Sequence, residues 1–145
     1  MTKSQKTLLV CGEKLNKAMS EENLSVYPEN IINLAQNLKY FGRMNDPTCS
    51  ACINGPCGDE MEFYLVIKDK IIEDVKFYTK GCIATKVCGS ITAQLVFGKS
   101  IEEALSISPR KVIESLNGLP EDHCHCSILA VSTLYRAIAA YLLTK

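Results

Sequence analysis

MEFYLVIKDKIIEDVKF, residues 61–77, alternates apolar and polar positions on either side of a short charged break. Period two over this length places Met61, Phe63, Leu65 and Ile67 on one face of a strand, and Ile71, Val75 and Phe77 continue that face on a second, with Glu73 the exception. How the break turns decides the register. With Lys68, Asp69 and Lys70 as a three-residue loop, Met61 faces Phe77, Phe63 faces Val75 and Ile67 faces Ile71, while Glu62 meets Lys76 on the other face. A two-residue loop sets Phe63 against Lys76 and Leu65 against Asp74, so the three-residue loop is expected. Carried outwards, its ladder brings Cys57 opposite Gly81, one residue from Cys82. Two cysteines separated by a whole hairpin then arrive at the same open end.

Beyond the hairpin the period changes to that of helices. Residues 83–97 form the first, the capping box of Ser100 and Glu103 opens a short one, and Ser108 before Pro109 opens another that ends at Asn117 and Gly118. The last starts near Pro120 and runs to about Leu143. Upstream, Pro28 followed by Ile31, Leu34, Ala35, Leu38 and Phe41 predicts a helix over 28–41 with Gly42 as its cap. Residues 45–59, punctuated by Pro47, Gly55, Pro56 and Gly58, read as an irregular loop that carries Cys49, Cys52 and Cys57. Residues 1–27 are polar and weakly patterned, with a short helix around Leu8 to Met19. The expected fold class is α+β: a small antiparallel sheet, the hairpin with room for a third strand, packed on one face by helices. The expected organisation is an N-terminal extension, 1–27, and one domain, 28–145.

Composition narrows the function classes. Lys plus Arg equals Asp plus Glu at sixteen each, which leaves no charge excess to hold a nucleic acid backbone or an anionic membrane. The early apolar run, Leu8 to Cys11, is too short for a signal peptide, and Ser132, Thr133 and Arg136 interrupt the apolar C-terminal stretch. A cytoplasmic protein is the expectation, with neither membrane nor nucleic acid as partner. In a reducing cytosol, eight cysteines point to metal binding or catalysis and away from disulfides.

Four consecutive metal-capable residues, His123, Cys124, His125 and Cys126, cannot all face one ion. Helical residues turn by about 100 degrees each, so Cys124 and Cys126 point apart. Cys124, Ile128, Val131, Tyr135, Ile138 and Leu142 form an apolar stripe, which assigns Cys124 to packing and leaves Cys126, with His125 beside it, to face a site. His123, three residues before Cys126, is a supporting candidate. Cys126 in a first helical turn and Cys82 just before a helix are placed where unpaired backbone donors favour a thiolate. Cys57 lies among glycines and a proline, where backbone amides can approach sulfur. Three thiolates from three elements suit a soft metal, iron with sulfide or zinc.

GPCGD at 55–59, TKGC at 79–82 and HCS at 125–127 resemble, in this order, the IscU and NifU N-terminal family of iron-sulfur cluster assembly scaffolds, over about residues 42–143. The resemblance implies a carrier that takes persulfide sulfur from a cysteine desulfurase of the IscS or NifS type, combines it with iron, and passes a transient 2Fe-2S cluster to apo iron-sulfur proteins. It leaves room for a homodimer and for zinc in the purified form. By position it implies Cys57, Asp59, Cys82, His125 and Cys126 as the cluster and metal ligands, with Cys126 the persulfide acceptor. A carboxylate or imidazole at a fourth position is a more exchangeable iron ligand than a fourth thiolate, which suits a scaffold that must release its cluster. The chain departs from the family pattern at 119–123, LPEDH in place of LPPVK, and in its extra cysteines Cys49, Cys52, Cys88 and Cys124. The competing enzyme reading is a zinc-dependent sulfurtransferase, whose relatives carry an insertion between the second and third cysteines and lack the histidine. A structural zinc domain is the third reading, and a core of this size does not need that staple.

Overall fold

The computed structural model describes residues 27–55 and 58–144. The expected helix around Leu8 to Met19 and the expected place of Cys57 lie outside these residues. In chain order the elements are α1 (Glu29–Gln36), β1 (Cys49–Asn54), β2 (Glu60–Lys68), β3 (Ile71–Tyr78), α2 (Ile83–Val96), α3 (Ile101–Ala104), α4 (Pro109–Ser115), a 3-10 turn (Glu121–His123) and α5 (His125–Leu143). The strands form one antiparallel sheet in the order β1-β2-β3. Met61, Phe63, Leu65 and Ile67 on β2 and Ile72, Val75 and Phe77 on β3 are buried beneath α2 and α5. The α+β architecture is therefore as expected, and the third strand exists.

That strand corrects the expected 45–59 loop. Cys49, Ala51 and Ile53 pair with Leu65, Phe63 and Met61, extending the buried face of β2. Cys49 is buried and Cys52 exposed, because residues three apart on a strand point to opposite faces. The CxxC spacing therefore makes no dithiol pair here.

The hairpin register also differs from expectation. Phe63 pairs with Phe77 and Leu65 with Val75, then a bulge between Val66 and Ile67 leaves Ile67 against Ile72 and Lys68 against Ile71. The turn is two residues, Asp69 and Lys70, both with positive φ (54° and 65°), the tight hairpin geometry whose twist matches the strands. The extra residue on β3 reverses the alternation, so Ile72 points inward, Glu73 and Asp74 point out, and Val75 returns to the core. A two-residue turn is thus reconciled with apolar pairing by a bulge.

Helix α1 ends at Asn37, short of Gly42, because Tyr40 and Gly42 bond to Phe77 along the free edge of β3. Phe41 bridges Phe77 there, and Lys86 sets its ammonium 4.1 Å from the Phe41 ring centre. The capping box of Ser100 and Glu103 forms, and Ser108 caps Lys111 before Asn117 and Gly118 end α4 with positive φ. Gly89 on α2 is required by close packing: a Cβ there would lie 2.5 Å from the Phe77 ring.

The long C-terminal helix buries a different face from the expected stripe. Cys126, Ser127, Leu129, Ala130, Val131, Thr133, Leu134, Ala137 and Ile138 are inside, whereas Ile128 is 55% exposed and Leu142 49%. Both stripes share Val131 and Ile138. The buried side joins Leu129, Val131, Leu134 and Ile138 to small residues, and the hydroxyls of Ser127 and Thr133 are satisfied within the helix by the carbonyls of Cys124 and Leu129, each at 2.7 Å. Cys126, not Cys124, heads the core stripe. The stretch Glu121–Leu143 is long and apolar enough to cross a membrane by composition, but half of its apolar window is buried inside the protein, the pattern of a core helix.

Candidate metal and sulfur site

Asp59 immediately precedes β2, Cys82 is the N-cap residue of α2, Thr85 sits in the first turn of that helix, and Cys126 occupies the first turn of α5. Sheet and helices bring all four to one end of the core. Thr85 Oγ1 donates to Asp59 Oδ2 at 2.7 Å and stands 3.3 Å from Cys126 Sγ and 3.4 Å from Cys82 Sγ. Cys82 Sγ is 3.9 Å from Asp59 Oδ2. A hydroxyl carries a single proton, so only one of its three neighbours receives it at a time. The carboxylate, at the shortest distance, is the strongest acceptor.

Asp59 is 2% exposed, and its other oxygen, Oδ1, has no hydrogen-bond partner among the described residues. A buried carboxylate oxygen left in this state signals a site that takes a cation or water. A cleft of about 280 Å³, lined by Arg43, Glu62, Tyr78 and Lys80 among others, reaches Asp59 from solvent.

The glycine of TKGC has a steric reason. A Cβ on Gly81 would lie 2.8 Å from Asp59 Oδ2 and 2.9 Å from Thr85 Cβ, so only glycine lets the carboxylate rest against this backbone. Thr79 of the same motif bonds the Glu60 carbonyl and accepts from the Gly81 amide at 3.0 Å, pinning the strand-to-helix turn to β2. Among the described residues, Asp59 is thus the one seen against Gly81.

The histidines flank Cys126. His125 Nε2 is 3.8 Å from Cys126 Sγ. His123 ends the 3-10 turn, and one of its ring nitrogens joins the sulfurs of Cys82 and Cys126 in a group whose members all lie within 4.8 Å of one another. Tyr27, 4% exposed, meets His123 Nε2 through its hydroxyl at 3.3 Å, with ring centres 5.6 Å apart. Two sulfurs, a carboxylate and imidazole nitrogens suit iron or zinc and do not suit magnesium or calcium.

Cys126 is not primed as a thiolate, contrary to expectation. Its hydrogen bond with Cys82 and its burial push the thiol well above the ordinary range, and only the Thr85 hydroxyl pulls the other way. Position in the first helical turn does not outweigh a neighbouring sulfur and burial. Cys88 is fully buried on α2, as a core residue, and Cys124 is half-buried with its sulfur 3.8 Å from the Pro120 carbonyl.

The sequence profile of the NifU-like N-terminal domain family matches residues 26–145. The chain belongs to this family. The NifU-like domain is 40% identical over 117 residues to iron-sulfur cluster assembly scaffold protein IscU 1 of Archaeoglobus fulgidus, covering 80% of this chain and 76% of that one. It is 37% identical over 120 residues to the scaffold protein IscU of Escherichia coli, covering 79% and 93%. Among solved structures, an iron-sulfur cluster assembly scaffold protein for the SUF system from Fervidobacterium islandicum superposes with a TM-score of 0.66 at 22% identity over 80% of this chain and 98% of its own. The N-terminal region of a NifU-like protein from Brucella abortus gives 0.52 at 24% over 83% and 88%. These two likenesses show the shared fold.

Thr85 and the steric role of Gly81 escaped the sequence reading of this NifU-like domain. Thr85 carried a usable signal, since it lies three residues after Cys82 and so on the same side of α2. The contact of Gly81 with Asp59 joins residues more than twenty positions apart, and no local pattern announces it.

Proposed function

We propose that the protein is a scaffold on which 2Fe-2S clusters are assembled and from which they are passed to apo-proteins, the cluster being cargo. The observation that carries this reading is the convergence of the Cys82 and Cys126 sulfurs with the buried, half-unsatisfied carboxylate of Asp59. Cys57, from the GPCGD motif, is the third thiolate, and Asp59 and His125 are the exchangeable ligands. The unit that does this is the domain 28–145, preceded by an extension. It acts as a cytoplasmic carrier and not as a turnover enzyme.

Sulfur arrives as a persulfide on a cysteine desulfurase. The Cys126 thiolate attacks the terminal sulfur of that persulfide, a new S–S bond forms on Cys126, and the desulfurase cysteine leaves as a thiolate. For this the Cys126 proton must first depart, and the neighbouring Cys82 sulfur and Thr85 hydroxyl are the groups placed to receive it or pass it on.

Incubation with ferrous iron, cysteine and a cysteine desulfurase under nitrogen is expected to give a brown protein with thiolate-to-iron charge-transfer bands. A colourless product that holds one tight zinc, and forms no cluster after that zinc is removed, overturns the scaffold reading in favour of the zinc-dependent sulfurtransferase.

A further inference from the structure

We propose that His123 is a metal ligand in its own right, completing with Cys82 and Cys126 a two-thiolate, one-imidazole site for a single zinc ion. The inference rests on the scaffold reading for the location of the site only, since it invokes neither sulfur transfer nor cluster formation.

The three ligand atoms come from three elements and already lie within 4.8 Å of one another. Donors around a tetrahedral zinc, bonded at about 2.0–2.3 Å, stand roughly 3.3–3.8 Å apart. Closure therefore needs a contraction of at most about 1.5 Å, which rotation of the half-buried His123 side chain at the end of the one-turn 3-10 segment can supply. The second observation is Asp59. Its Oδ1 is buried without a partner among the described residues, and its Oδ2 is 3.9 Å from Cys82 Sγ, so an oxygen donor for the fourth position stands beside one of the two sulfurs. The donor set S2NO is then complete without Cys57.

Tyr27 gives the imidazole the outer partner that metal-binding histidines characteristically have. Its hydroxyl meets Nε2, and coordination through Nδ1 keeps that contact, with Nε2–H donating to the Tyr27 oxygen. His123 is also the residue at which the LPEDH segment places an imidazole where the family's LPPVK segment has an ammonium. The chain thus has two imidazoles flanking one cysteine sulfur. His123 reaches towards both sulfurs, and His125 hydrogen-bonds Cys126.

The chain has two histidines, so ring-nitrogen NMR on histidine-labelled apo-protein resolves each one. Addition of one equivalent of Zn(II) is expected to shift a ring nitrogen of His123 strongly and His125 weakly. Loss of an outer partner alone weakens metal sites about 10- to 100-fold, so His123→Ala is expected to lower zinc affinity by at least about tenfold in chelator competition, and His125→Ala by less. With Co(II) as the probe, His123→Ala is expected to alter the d–d bands while the thiolate charge-transfer band persists. Cys57→Ser is expected to retain zinc with the His123 shift intact. Apo melting curves of His123→Ala, which removes a half-buried side chain, check that the fold survives; should it not, the NMR titration of the native protein decides. Zinc that shifts His125 alone, or a folded His123→Ala that binds zinc as the parent does, overturns the proposal. Either result leaves cluster assembly untouched, because no desulfurase or sulfide enters the titration.

Discussion

The Thr85 hydroxyl is the hinge between Asp59 and the two cysteines of the site: it donates to Asp59 Oδ2 at 2.7 Å while standing 3.3 Å from Cys126 Sγ. One proton serves one acceptor at a time, so the carboxylate and the sulfur compete for it. Whatever draws the Asp59 oxygen away releases the Thr85 proton towards sulfur.

Thr85→Val keeps the shape and removes the hydroxyl, leaving Asp59 Oδ2 with only the long contact to Cys82 Sγ at 3.9 Å and Oδ1 with no partner among the described residues. Apo-protein stability is expected to fall by about 1–3 kcal/mol in urea unfolding, and Thr85→Ser to restore most of it. Equal stability of the valine variant and the parent shows that water, not Thr85, satisfies the carboxylate.

Asp59→Ala removes a buried carboxylate that is only half satisfied, so the apo-protein is expected to melt at a higher temperature. A reconstituted cluster is expected to survive chelator challenge longer and transfer more slowly, since the remaining sulfur ligands exchange less readily than an oxygen. Faster cluster loss identifies Asp59 as a holding ligand.

Gly81→Ala drives a methyl to 2.8 Å from Asp59 Oδ2 and 2.9 Å from Thr85 Cβ. Relief requires the carboxylate to swing away, so the variant is expected to lose about 1–3 kcal/mol of stability and to bind iron or zinc more weakly. Titration with chelator and a melting curve read both effects.

Cys126→Ser is expected to abolish persulfide acceptance and cluster binding, as seen by mass spectrometry and absorbance. Cys124→Ser is expected to leave both intact and change the melting temperature little, because Cys124 is half-buried and its weak contact with the Pro120 carbonyl can be made by a hydroxyl. Persulfide found on Cys124 of the native protein reverses the assignment.

Lys86 is 7% exposed, and burial lowers its pKa from 10.5 to about 8. A depressed lysine pKa means that the stability contribution is full above 10.5, where folded and unfolded forms are both neutral, and is lost as pH falls through 8. Lys86→Met is therefore expected to stabilise the protein most at pH 7, by on the order of 1 kcal/mol or more, with a smaller gain near pH 10. The buried thiol of Cys49, raised to about 11, gives both proteins the opposite trend, a loss of stability as pH climbs above 9.0, so the comparison is made between variant and parent at each pH. A gain that does not shrink with rising pH shows that the contact with the Phe41 ring, and not the charge, governs this position.

By itself the sequence determined the elements whose signals are local and strong. The period-two stretch around residues 61–77 is a hairpin, the Ser100 and Ser108 caps open the helices they announce, and Cys82 and Cys126 stand at helix starts, with Asp59 nearby as a candidate in a loop motif. What it left undecided depended on contacts across the chain. β1 looked like a loop because its strand residues include a cysteine pair between Pro47 and Gly55, and only the exposed edge of β2 gives them a ladder. The bulge on β3 changes which of Ile71 and Ile72 faces inward, a choice set by the core and not by alternation. The phase of α5 was set by packing that buries Leu129, Ala130 and Leu134 with Ser127 and Thr133, whose hydroxyls are satisfied within the helix, so polar residues that break an apolar stripe in the sequence still face the core. Thr85 and His123 entered the site for the same reason: residues 82, 85, 123 and 126 become neighbours only when α2 and α5 pack together on one sheet, and that proximity is a property of the packed layers.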